Sequence, residues 1–97
     1  MAARRASNKA TARPVLRFYS RSVACSLCGV SERELAQWEA EDLVAPARLL
    51  ERGEHFEPLY DEAALRRIRL IRTLADELEV NLPGISVILR LLEQLRR

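Results

Sequence analysis

The stretch from Asp61 to the end of the chain limits the possible folds more than any other. Apolar residues recur at Ala64, Leu65, Ile68, Ile71, Leu74, Ala75 and Leu78. These are helical spacings, so 61–79 predicts an amphipathic helix of about five turns. Asp61 can cap it by accepting backbone N–H bonds that the first turn leaves open. Asn81 can stop this helix and start the next, and Pro83 suits a first turn because it lacks an N–H. A second helix is expected from about Pro83 to the C-terminus. Along it Ile85, Ile88, Leu92 and Leu95 are expected to pack inward, Val87 and Leu91 lie on another side, and Leu89 falls between. A terminal helix that is apolar all round points to an interface, a homodimer among the options.

With 97 residues the chain makes one domain with a single core. Hydrophobic residues at 48% favour folding over disorder. The net charge is only +2, but it is unevenly spread. Residues 1–21 hold six basic side chains and no acid, 32–62 hold ten acids and three arginines, and 65–97 hold seven arginines and four acids. An acidic middle is thus flanked by basic ends. No apolar run reaches the ~20 residues of a membrane span. No apolar segment follows the basic N-terminus as in a secretory signal, so a cytoplasmic location is expected. Cys25 and Cys28 form a C-x-x-C, but zinc wants about four ligands and His55 is the only other soft candidate. A redox pair would want a βαβ context that is not visible. Both cysteines read as ordinary helix residues, with no metal and no cofactor.

In chain order, 1–14 reads as a flexible basic arm and 15–97 as the folded domain. Val15 to Tyr19 has strand character. Ser20 or Ser22 can cap a helix through Val23, Ala24, Leu27 and Cys28, and Gly29 suits its left-handed stop. Ser31-Glu32-Arg33-Glu34 is a capping box that opens a second helix to about Glu41, with Leu35 and Trp38 on one face. Helix, short glycine turn, helix is the helix-turn-helix pattern. Two edges near 47–50 and 56–60 predict a hairpin, which requires Pro58 at an edge.

Gly29-Val30-Ser31-Glu32-Arg33-Glu34-Leu35, Trp38-Glu39 and Leu43-Val44-Ala45-Pro46 together resemble the winged helix-turn-helix of MerR-type regulators. Tyr60-Asp61 with Leu65-Arg66-Arg67-Ile68 is similar to the family's wing end and following helix. Glu77 to Ile85, with Val87-Ile88-Leu89, resembles one subset, the HspR-like heat-shock repressors and CbpM-like chaperone modulators. The resemblance covers about residues 16–95. It implies a mainly α fold: a winged helix-turn-helix with a short β-hairpin wing and two C-terminal helices.

The two relatives imply different partners, operator DNA for the repressors and the J-domain of a DnaJ-like co-chaperone for the modulators. DNA-binding members carry a threonine, an arginine and an aromatic residue at the reading positions of the second helix, which here are Glu34, Ala36 and Gln37. Their wings carry an arginine where this chain has Gly53-Glu54-His55-Phe56-Glu57-Pro58-Leu59-Tyr60. An acidic helix-turn-helix and wing would also repel phosphate. The expectation is therefore a non-enzymatic, CbpM-like modulator that binds a J-domain and restrains it. Its partner-binding residues would be Glu34, Gln37, Glu41, Glu54, Glu57, Val87 and Leu91. The alternative is a MerR/HspR-type transcriptional regulator that uses Arg13, Arg17, Arg33 and Gln37 on DNA. With one His and no nucleophile–base pair, catalysis is not expected. Nor is a small-molecule effector, because the chain ends at Arg97 without a longer dimer helix or an effector domain.

Overall fold

The computed structural model describes residues 16–96. The expected arm at 1–14, and Arg13 with it, lies outside the described residues. Helix α1 (Arg21–Cys28) starts at Ser20, whose hydroxyl accepts from the Val23 N–H at 3.3 Å. It stops at Gly29, whose φ of 70° is open to glycine at little steric cost. Helix α2 (Glu32–Ala40) opens with the full capping box: the Glu34 N–H donates to Ser31 Oγ at 3.0 Å, and the Ser31 N–H donates to Glu34 Oε1 at 3.0 Å. Three residues separate the helices, and Val30 among them is buried.

Strands β1 (Arg48–Arg52) and β2 (His55–Leu59) form an antiparallel hairpin, pairing Arg48 with Leu59 and Arg52 with His55. Gly53 leads the two-residue turn at a φ of 60°. Pro58 faces Leu49, a position that the alternation of pairs leaves outside the hydrogen-bonded ladder, so its missing N–H costs nothing. The strands reach closer to the turn than the expected 47–50 and 56–60. Of the strand expected at 15–19, the described residues 16–19 show one bridge, Tyr19 with Tyr60, whose mutual N–H···O bonds are 2.8 and 2.9 Å.

Helix α3 (Glu62–Arg72) is capped by Asp61, which accepts from the Ala64 N–H at 2.9 Å. It passes into a π-helical turn, Thr73–Glu77, closed by Leu78 N–H to Thr73 O at 3.1 Å. The wider turn shifts the phase of the helix, and Leu78, expected inside, is 62% exposed. Helix α4 (Leu82–Leu95) is capped by Asn81 Oδ1, 2.8 Å from the Gly84 N–H. Its inward stripe is Ile85 and Leu89, with Ile88 partly buried beside them. Leu92 and Leu95, expected inside, are exposed. They lie beyond the part of α4 that meets the core, and the i, i+4 pair of Ile85 and Leu89 already fills it.

One core joins these elements. Ala24, Cys25 and Cys28 come from α1, Leu35 and Trp38 from α2, and Leu43 and Val44 from the following loop. Ala64, Leu65, Ile68 and Ile71 come from α3, and the fully buried Tyr60 and Ile85 join them. No residue of β1 or β2 is buried, so the hairpin projects from this core.

Candidate functional site

The outer side of α2 and the hairpin that follows it offer the most chemistry to a partner. On α2, Arg33, Ala36 and Gln37 are exposed while Leu35 and Trp38 anchor the other side. Arg33 and Gln37 stand one turn apart on one face. Glu34, half-buried, is turned back on its own helix start by the capping box and is less available to a partner than its position suggests.

Beneath α2 lies a polar cluster that no spacing in the sequence announced. Tyr60, fully buried, donates its hydroxyl to Glu39 Oε2 at 2.5 Å and accepts from Arg21 Nη1 at 2.8 Å. Arg21 also pairs with Glu39 at 2.7 Å and reaches Glu32 at 3.9 Å. Burial and the Glu39 carboxylate push the Tyr60 phenol well above its ordinary value. Nearby, Tyr19 donates to Glu62 Oε2 at 2.5 Å, which fastens the segment before α1 to the start of α3. Glu39 and Glu62 therefore belong to the scaffold, which lowers the acidic charge that the middle of the chain shows outward. Only an aromatic at position 60 beside an N-capping Asp61 hinted at this anchor.

What remains outward is still acidic. Between 32 and 57 the exposed carboxylates are Glu32, Glu41, Asp42, Glu51 and Glu54, against Arg33, Arg48 and Arg52. Glu57 is partly covered and pairs with Arg52 at 3.1 Å. Arg48 lies over the Phe18 ring, 5.0 Å from its centroid. Arg17 is exposed just before that ring. Of the expected partner residues, Gln37, Glu41 and Glu54 are open to solvent, whereas Glu34 and Glu57 already have partners within the domain. Val87 and Leu91 are exposed on α4, with Leu95 farther along at 81%.

A groove of about 900 Å³ opens between segment 42–47, α3 and α4. Arg67 spans part of it, donating Nε to the Leu43 carbonyl at 2.6 Å and reaching Glu93 at 3.5 Å. Cys25 and Cys28 are free and buried, and desolvation raises both thiols above their ordinary value, the opposite of an activated nucleophile. Among the described residues no three His, Cys, Asp or Glu side chains gather as a metal site. No helix among them is long and apolar enough to cross a membrane.

Two helices about a left-handed glycine turn, a projecting two-stranded wing and two further helices define a winged helix-turn-helix protein. The model of the MerR helix-turn-helix family of regulatory proteins matches residues 19–92, and the chain belongs to that family. No curated protein matches it.

Proposed function

We propose that this MerR-family domain is a CbpM-like, non-enzymatic modulator that binds the J-domain of a DnaJ-like co-chaperone and restrains it. The observation that carries the reading is the charge of the exposed helix-and-wing surface. Glu41 and Asp42 at the end of α2 and Glu51 and Glu54 on the wing stand open, and together with Glu32 they outnumber the exposed Arg33, Arg48 and Arg52 of the same stretch. Such a surface repels phosphate and attracts a basic protein helix, which speeds encounter and selects the partner. The exposed stripe of Val87, Leu91 and Leu95 supports a homodimer through α4 as a second contact.

Titrating the purified chain with a purified J-domain, and separately with DNA duplexes, tests the reading. Saturable J-domain binding that weakens in Glu41→Arg/Glu54→Arg, most strongly at low salt, is expected. Tight, sequence-selective duplex binding with no J-domain affinity would refute it.

A second reading, a DNA-binding regulator of the MerR/HspR type, draws on one specific observation. Glu34 is withdrawn into the capping box, which leaves Arg33 and Gln37 as the outward pair on α2. Those are side-chain types that read guanine and adenine edges in a major groove.

A further inference from the structure

The two faces of the wing differ in how far their side chains are already engaged. Residues paired across the strands share a face, and neighbours along a strand alternate. One face therefore carries Arg48, Leu50, Arg52, His55, Glu57 and Leu59. Its charges are largely spoken for, Arg52 by Glu57 at 3.1 Å and Arg48 by the Phe18 ring. The opposite face carries Leu49 across from Pro58 and Glu51 across from Phe56. Leu49 is 58% exposed and Phe56 60%. They sit on a cross-strand diagonal that side chains of this size can bridge, so with Pro58 they make one apolar patch. Glu51 is exposed at its side and has no ion-pair partner among the described residues.

We infer that this face of the hairpin, Leu49, Phe56 and Pro58 beside Glu51, grips a segment of the partner protein that presents a lysine or arginine flanked by apolar side chains. The inference rests on the protein-binding reading above and adds the surface that does the work. Contact between Leu49 and Phe56 across the strands steadies the hairpin only weakly, yet both stay more than half exposed on a wing with no fully buried residue, and exposed patches of this kind mark contact sites. Aromatic anchors such as Phe56 concentrate binding energy once water is excluded around them. Glu51 sets the sign of the partner's charge. A nucleic acid fits poorly, because Glu51 and Glu54 would face phosphate. A second copy docked symmetrically on this face would bring Glu51 close to its own counterpart, a like-charge contact.

The test uses the full chain, a purified J-domain as probe, and two variants: Leu49→Ser/Phe56→Ser and Glu51→Arg. All three positions are exposed, so unchanged thermal melting is expected and serves as the control for folding. If the face is the docking surface, each variant weakens J-domain binding about tenfold or more. The loss in Glu51→Arg should shrink at high salt, whereas the loss in the serine variant should persist. Equal affinity of wild type and both variants overturns this surface while leaving the protein-binding reading intact. No J-domain binding by the wild type defeats that reading, and this inference with it. Sedimentation of the same samples and titration with a DNA duplex complete the test. A dimer lost only in the serine variant would assign the face to a second copy, and duplex binding lost in that variant would assign it to DNA. Either result overturns the proposal.

Discussion

Tyr60 ties together the segment before α1, α1 itself and α2. Its backbone pairs with Tyr19, its ring is fully buried, and its hydroxyl joins Arg21 to Glu39. Removing that hydroxyl leaves the Arg21–Glu39 pair in place but strips each of a partner. Tyr60→Phe should therefore cost about 1–2 kcal/mol, measured by denaturant unfolding. The same residue sets an alkaline limit. The phenol of Tyr60 and the thiols of Cys25 and Cys28 are all raised in the fold, chiefly by desolvation. Above their ordinary values the native state then holds more protons than the unfolded chain, and stability falls as pH rises. It should be at its full level below about pH 8, begin to fall as the thiols of the unfolded chain ionise at about pH 8.5, and fall more steeply as its phenol ionises at about pH 10. Thermal melts at about pH 8 and about pH 10.5 check this, and Tyr60→Phe should shrink the difference. Trp38, only 3% exposed, belongs to the core, as its place on one face with Leu35 implied. Trp38→Ala should destabilise by roughly 3–5 kcal/mol. A near-normal melt with lost partner binding would instead make the ring a contact surface.

Each helix start follows local chemistry that can be read in the sequence: Ser20, Ser31, Asp61 and Asn81 all cap as their residue types predict. The junction between α3 and α4 adds a local steric constraint. A Cβ on Gly84 would stand 2.8 Å from Val80 Cγ1 and 3.0 Å from Asn81 Oδ1. Gly84→Ala would ordinarily help a helix by about 1 kcal/mol. Here it must displace a stiff β-branched side chain and the capping oxygen, so a net loss of about 1–2 kcal/mol is expected. Combining it with Val80→Ala should recover part of that loss, and chemical denaturation of both variants is the check. A double variant no more stable than Gly84→Ala alone would place the conflict at the cap instead.

For the whole molecule, charge is the property that separates the two candidate partners. The described domain is acidic along its helix-turn-helix and wing, while Arg4, Arg5, Lys9 and Arg13 are concentrated in 1–13. Any duplex binding should therefore be weak, sequence-indifferent and strongly salt-dependent. Deleting 1–13 should remove most of it and flatten the salt slope, since each phosphate contact contributes to that slope. Fluorescence anisotropy across a salt series measures both. A sequence-specific complex that survives the deletion would favour the regulator of DNA. Self-association is tested separately. Val87→Glu/Leu91→Glu should abolish any dimer formed through α4 and leave the melt unchanged, because both residues are exposed in the monomer.

The local sequence sets where helices begin, because capping depends on a side chain and the few backbone groups next to it. It likewise placed the left-handed stop at Gly29, the hairpin, and the core side of α2, since each depends on a short repeat or a single residue type. It could not say how α4 divides its apolar residues. Leu89 is inside and Leu92 outside because of where α3 lies and how far the core extends, and one-dimensional spacing carries neither. Nor could it foresee the π turn that rotates Leu78 into solvent. The acids presented the same problem: ten carboxylates in one stretch look alike by composition. Local contacts account for three of them: Glu34 and Asp61 serve their own helix starts, and Glu57 pairs with Arg52 across the hairpin turn. The tertiary structure gave Glu39 and Glu62 to Tyr60 and Tyr19, and it left Glu51 exposed beside Leu49 and Phe56. That sorting rests on distances between residues far apart in the chain, and those distances exist only once the chain has folded.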